Sequence, residues 1–168
     1  LEPLLINPVP RWQIMMGKLL ATAIFGMASL VLTLIAFRIT LPYLPLAALG
    51  VDLGLDVEAM AGILLVVAPV ALMAAALLTV LATYAKSFRE AQSYMGLVIL
   101  IPMVPTLMFM TNPVKPEAPM MPIPLFSQNL LIGELIRGEA VPVHWLLYSA
   151  AGTLIFAFAL IAFAATLF

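Results

Sequence analysis

The sequence predicts an all-α integral membrane protein with four transmembrane helices and short interfacial or re-entrant helices between them. Composition is the first reason. Hydrophobic residues make up 65% of the 168 and charged residues 9%, against about 45–50% and about 25% in soluble domains. The second reason is where the charges lie. All fifteen sit outside four long apolar runs, at their ends or in the connections. The net charge of −1, with no Lys/Arg-rich run, excludes a nucleic-acid surface. Zero cysteines exclude disulfides, thiolate metal sites and a cysteine nucleophile. The chain reads as one membrane domain over 1–168, organised as a surface segment (1–13), spans at 14–38, 59–85, 93–112 and 144–168, and an interfacial helix region (122–139).

Leu1 to Ile6 is apolar apart from Glu2 and Pro3, which suits a short surface helix. Asn7, Pro8 and Pro10 end it, because proline lacks an N–H and restricts the residue before it. Pro10 then serves as the first residue of the next helix. Arg11, Trp12 and Lys18 follow as anchors at headgroup level. Leu19 to Phe37 is nineteen uncharged residues, a helix of about 28 Å against a hydrocarbon core of about 30 Å. Along it Thr22 and Gly26, then Ser29 and Thr33, form small pairs four residues apart that permit close helix approach.

Leu41 to Glu58 reads as a loop with one turn of interfacial helix, made acidic by Asp52, Asp56 and Glu58. Ala59 to Ala85 is the second span, long enough to tilt. Ala71, Ala75, Thr79 and Thr83 form a ridge that should meet another helix, and Pro69 should kink the span. Lys86 to Gln92, KSFREAQ, is a turn. The third span should run from about Ser93 to Met110, and with Pro102, Pro105 and Pro113 around it, it is the span expected to be broken. The PEAPMMPIP strip should be extended. A short helix from Leu125 to Arg137 should end at Gly138, with Leu125, Ile132, Leu135 and Ile136 on its apolar side and Ser127, Glu134 and Arg137 on its polar side. Trp145 to Phe168 is the last span, with Ser149, Thr153 and Ala157 as its small face. The start and the KSFREAQ turn hold Arg11, Lys18, Lys86 and Arg89, a higher basic density than the other side's Arg38, Lys115 and Arg137. The positive-inside rule therefore makes them cytoplasmic.

Three stretches carry a resemblance. L-E-P-L-L-x-x-P-V at Leu1 to Val9, followed by Gly17-Lys18, resembles the cytoplasmic entry motif of permease subunits of type-2 ABC exporters, in particular the sodium-efflux branch. S-F-R-E-A-Q followed by Tyr94 is similar to the family's cytoplasmic link between its fourth and fifth spans. A P-I-P strip before an apolar helix and Gly-Glu resembles the outer segment between its last two spans. The resemblance implies a six-span fold of which this chain is a fragment lacking the first spans. It further implies the plasma membrane of a bacterial or archaeal cell, a separate ABC ATPase subunit that binds ATP and Mg, and a second permease copy or homologue. It assigns coupling to that ATPase to Glu2, Leu4, Leu5, Pro8, Arg11, Gly17, Lys18, Arg89 and Glu90, with Gly17 allowing close packing at the entry. No cofactor is expected in this chain.

The residues narrow the chemistry further. Gly17-Lys18 is followed by leucine, so there is no P-loop, and HExxH and Gly-x-Ser-x-Gly are absent. The single histidine, His144, sits at a span end. With no carboxylate inside a span, a proton relay is missing. Sodium would have to be held by Thr22, Ser29, Thr33, Thr79 and Thr83 with freed carbonyls, and a lipid-like or amphipathic substrate is equally compatible. A non-transport scaffold and a membrane-embedded enzyme are the other function classes.

Overall fold

A computed structural model describes residues 10–44, 53–111 and 114–167. Five helices form its frame: α1 (Arg11–Thr40), α2 (Val57–Tyr84), α3 (Phe88–Thr111), the short α4 (Phe126–Ile136) and α5 (Val143–Leu167). One-turn 3₁₀ helices at Leu41–Tyr43 and Ala118–Met120 complete the described elements. Four of the helices are long and apolar enough to cross a membrane.

α1 starts one residue later than expected. Pro10 has an extended ψ of 138° and caps the helix from outside, its carbonyl accepting from the Gln13 N–H at 2.9 Å. Missing its own N–H, Pro10 loses nothing in that place. The expected loop turn is present as Leu41–Tyr43, and Arg38 Nη1 donates to the Leu55 carbonyl at 2.7 Å. Residues 45–52 of that loop, with Asp52, lie outside the described residues.

α2 is the mast of the bundle. In its most apolar eighteen-residue window 39% is buried, against 6% in α3. It contributes to all three buried clusters. Near one end Val80 meets Met15 of α1 and Ala164 of α5. In the middle Ala75 and Ala76 meet Leu19 of α1, with Leu160 and Ile161 of α5 packed alongside. Towards the other end Ala59, Ile63 and Val66 join Leu34 of α1, Leu131 and Leu135 of α4, and Leu146 of α5. The Ala71 and Ala75 part of the small-residue ridge thus packs on α1, as close packing without a hydrophobic drive requires: a Cβ built on Gly26 would lie 3.9 Å from the Cβ of Ala71.

Two elements differ from the sequence reading. α3 is unbroken through Pro102 and Pro105, as α2 is through Pro69, because a proline within a helix removes one hydrogen bond and leaves the rest of the ladder standing. The PEAPMMPIP strip is not extended throughout, since Ala118–Met120 forms a 3₁₀ turn followed by further turns to Leu125. This strap presses on α5. A Cβ on Gly152 would fall 2.3 Å from the Pro122 carbonyl oxygen, so only glycine fits. At Leu125 the backbone takes φ 66°, a region costly for a residue with a Cβ.

α4 ends on Gly138 at φ 73°. Gly138 N–H donates to Leu135 O at 3.2 Å and Glu139 N–H to Glu134 O at 3.1 Å, the paired bonds of a Schellman ending. Its buried face is not the one expected. Ser127, Gln128, Leu130, Leu131 and Leu135 are buried, and Leu125, Ile132 and Ile136 only partly. The cause is polar contact with α5, described below.

Candidate functional site

At the end of the bundle that holds the start of α1, the second turn of α1 lies beside the last turns of α2. Lys18 and Thr22 are one turn apart on α1, and Thr79 and Thr83 one turn apart on the antiparallel α2. Together with Ala75, Leu78 and Ala82 they line a groove of about 290 Å³. Each of its hydroxyls gives its proton to its own helix: Thr22 to Lys18 O at 2.9 Å, Thr79 to Ala75 O at 2.8 Å, and Thr83 to Thr79 O at 2.9 Å. A hydroxyl has one proton and two lone pairs. What remains for a ligand is therefore oxygen acceptors beside one exposed ammonium.

The five hydroxyl residues read from the sequence as a path are thus divided. Thr22, Thr79 and Thr83 come together. Ser29 and Thr33 do not join them; both are exposed on α1, and Thr33 donates to Ser29 O at 2.8 Å.

The residues assigned to coupling fall into three groups. Glu2, Leu4, Leu5 and Pro8 lie outside the described residues, and of Arg11 only its place as the first residue of α1 is described. Gly17 and Lys18 are exposed in α1. The close packing expected at Gly17 is absent among the described residues, since a Cβ there would meet nothing within 4 Å; the inward face of α1 runs through Met15 and Leu19 instead. Arg89 and Glu90 sit in the first turn of α3, which begins at Phe88 and not near Ser93.

Glu90 is engaged within its own helix end. Ser87 Oγ accepts from the Glu90 N–H at 3.2 Å, while Glu90 Oε2 accepts from the Lys86 N–H at 2.9 Å and Glu90 Oε1 from the Tyr94 hydroxyl at 2.7 Å. This is a capping box shifted by one residue on its return leg, and its carboxylate also suits the positive end of the helix dipole. The sequence signal was Ser-x-x-Glu at Ser87 to Glu90. Arg89 stays exposed.

At the opposite end lies a polar cluster that the sequence reading missed. Ser127 and Gln128 of α4 and Ser149 and Thr153 of α5 are all buried. Ser127 Oγ lies 2.9 Å from Ile123 O and 2.8 Å from Ser149 Oγ. If Ser127 gives its one proton to the carbonyl, Ser149 must donate to Ser127. Gln128 Nε2 donates to Thr153 Oγ1, which donates on to Ser149 O at 2.9 Å. Among the described residues no buried side-chain polar atom lacks a partner. The cluster therefore acts as a latch and not as an open ligand site. A pair of hydroxyls four apart on α5 facing adjacent Ser and Gln on a short helix was the available signal.

The described residues hold no group of three His, Cys, Asp or Glu able to take a metal ion. His144 is exposed and stacks edge-on with Trp145 and Tyr148, at 6.2 Å and 5.8 Å between ring centroids.

The chain is similar to the ABC transporter permease protein NatB of Bacillus subtilis (strain 168), with 31% identity over 157 residues. The match covers 92% of this chain and 40% of that relative's length. No protein-family model matches the chain, and no solved structure matches it significantly. With four apolar helices of spanning length, the chain is a multi-pass integral membrane protein.

Proposed function

Because the chain is a homologue of an ABC transporter permease, we propose that it is the membrane-spanning permease part of an ATP-driven exporter, working with a separate ATPase subunit. The observation that carries this is similarity running through 92% of the chain, all four long helices included, and not through one motif. ATP and Mg belong to the ATPase subunit in this reading. A second permease copy or homologue would complete the path. In this reading Glu2, Leu4 and Leu5 make the principal contact with the ATPase, and the start of α3 makes a second, smaller one. Since the Glu90 carboxylate is held by Lys86 and Tyr94, Arg89 is the residue of that pair left to reach a partner.

Two substrates suit a permease of this kind, and the Lys18 groove separates them. Sodium, implied by the sequence resemblance, would meet an ammonium beside the three hydroxyls. An amphipathic molecule with an anionic head is attracted by the same charge, and the apolar wall of Ala75, Leu78 and Ala82 takes its tail. We therefore favour the amphipathic substrate.

The test is ATP-dependent transport by the full-length protein with its ATPase in vesicles, comparing sodium with an anionic fluorescent amphiphile. Glu2→Lys should uncouple hydrolysis from transport without disturbing insertion. Leu4→Asp with Leu5→Asp should abolish co-purification of the ATPase. Persistence of the complex in that double variant would remove the coupling assignment, and transport of sodium alone would reverse the choice of substrate.

A further inference from the structure

The groove between α1 and α2 has a layered order that follows from the two helices running antiparallel. Lys18 is the last charge before the apolar run of α1, and Thr83 is one residue from the end of α2, so both stand at the membrane boundary. Thr22 and Thr79 stand one turn deeper, about 5–6 Å further in. Beyond them the wall is Ala75 and Leu78. Moving inward from water, a ligand would meet a cation, then hydroxyl oxygens, then hydrocarbon.

Side chains on a helix lean towards its amino terminus. Lys18 therefore reaches outward to phosphate depth. The threonine protons are spent on helix carbonyls. The oxygens can only accept, and the one level with Lys18, Thr83 Oγ1, suits a head that brings a hydrogen-bond donor of its own. Among the described residues the one ion pair joins Arg137 and Glu134, at the other end of the bundle, so none of those carboxylates neutralises Lys18.

From these features we infer that the groove is a binding site for a glycerophospholipid with an anionic, hydroxyl-bearing head. The phosphodiester sits against the Lys18 ammonium, a head hydroxyl lying along the surface donates to the Thr83 oxygen at the same level, and one acyl chain runs inward along Ala75 and Leu78. The inference extends the reading of the groove as a surface for amphiphiles, and it concerns binding and not transport, so either can fail alone.

The experiment uses the full-length protein in nanodiscs of phosphatidylcholine with a minor fraction of phosphatidylglycerol, counting lipid retained per protein by mass spectrometry after detergent extraction. The parent should retain phosphatidylglycerol selectively. Lys18→Gln should lower that selectivity about fivefold, the factor one basic residue near an anionic surface is worth, and Lys18→Arg should restore it. Thr79→Leu should lower it by filling the groove. Lys86→Gln, which removes an equal charge outside the groove, should leave it unchanged. Equal losses from Lys18→Gln and Lys86→Gln would overturn the site in favour of general surface attraction. Displacement of the lipid by millimolar inorganic phosphate would overturn it in favour of a free-anion site.

Discussion

Gly152 offers the sharpest test of how the strap after α3 meets the bundle. Glycine inside a helix is ordinarily a cost, and Ala in its place gains about 1 kcal/mol of helix propensity. At Gly152 the added Cβ would fall 2.3 Å from the Pro122 carbonyl oxygen and 2.9 Å from its carbonyl carbon, well inside van der Waals contact. Those atoms are backbone and cannot rotate away. Overpacking costs about 1–3 kcal/mol or more, and with no soft neighbour the upper end applies, leaving Gly152→Ala about 2 kcal/mol less stable than the parent. Two other glycines calibrate the figure. At Gly62 the Cβ would meet Leu135 side-chain carbons at 3.1 and 3.3 Å, which can shift by a few tenths of an ångström, so Gly62→Ala should come out near neutral. At Gly96 nothing lies within 4 Å, and Gly96→Ala should be stabilising by up to about 1 kcal/mol. Reversible unfolding in mixed micelles, followed by circular dichroism, measures all three. If Gly152→Ala were as stable as Gly96→Ala, the strap would not lie on α5 at Pro122.

Substitutions at three further places have expected outcomes. Ser87→Ala should cost about 1 kcal/mol through the lost cap, and Glu90→Gln should raise hydrogen exchange at the Lys86 amide; unchanged exchange would show that the carboxylate does not hold that amide. Gln128→Ala and Thr153→Ala, combined in a double-mutant cycle of unfolding free energies, should show a coupling of about 0.6–1.7 kcal/mol, and simple additivity would refute the latch. Ala75→Leu should cost about 1–3 kcal/mol by forcing α1 from α2, so a variant with parental unfolding would place that ridge against lipid.

The long helices were legible because hydrocarbon thickness leaves one signal, the uncharged run, and the sequence states it four times. Their ends were less so. α3 begins at Phe88 because Ser87 accepts from the Glu90 amide of its first turn and the Glu90 carboxylate accepts from the Lys86 amide just before it, and a turn rich in charge hides a cap that is itself made of polar residues. Prolines misled in the other direction: a rule learned from helices in water makes Pro102 and Pro105 into breaks, yet in a long apolar segment abandoning the helix would expose many more amide groups than the two bonds lost.

The largest gap was in α4, and it has a physical reason. Sorting a helix into polar and apolar sides assumes that polar residues seek the solvent. That assigns Ser127 to the outside. In a membrane bundle the solvent is hydrocarbon, which offers a hydroxyl no partner, whereas the groups of a neighbouring helix do. Ser127 and Gln128 therefore turn towards Ser149 and Thr153, and Leu131 and Leu135 follow them in, since positions four and eight beyond Ser127 share its face. Charged residues do not follow this inversion, because Glu134 and Arg137, paired at 2.7 Å, stay near the helix end where water is in reach. The sign of the polarity rule changes along a single helix of eleven residues. Neutral hydroxyl and amide groups mark the inside of α4, and ions mark its outside.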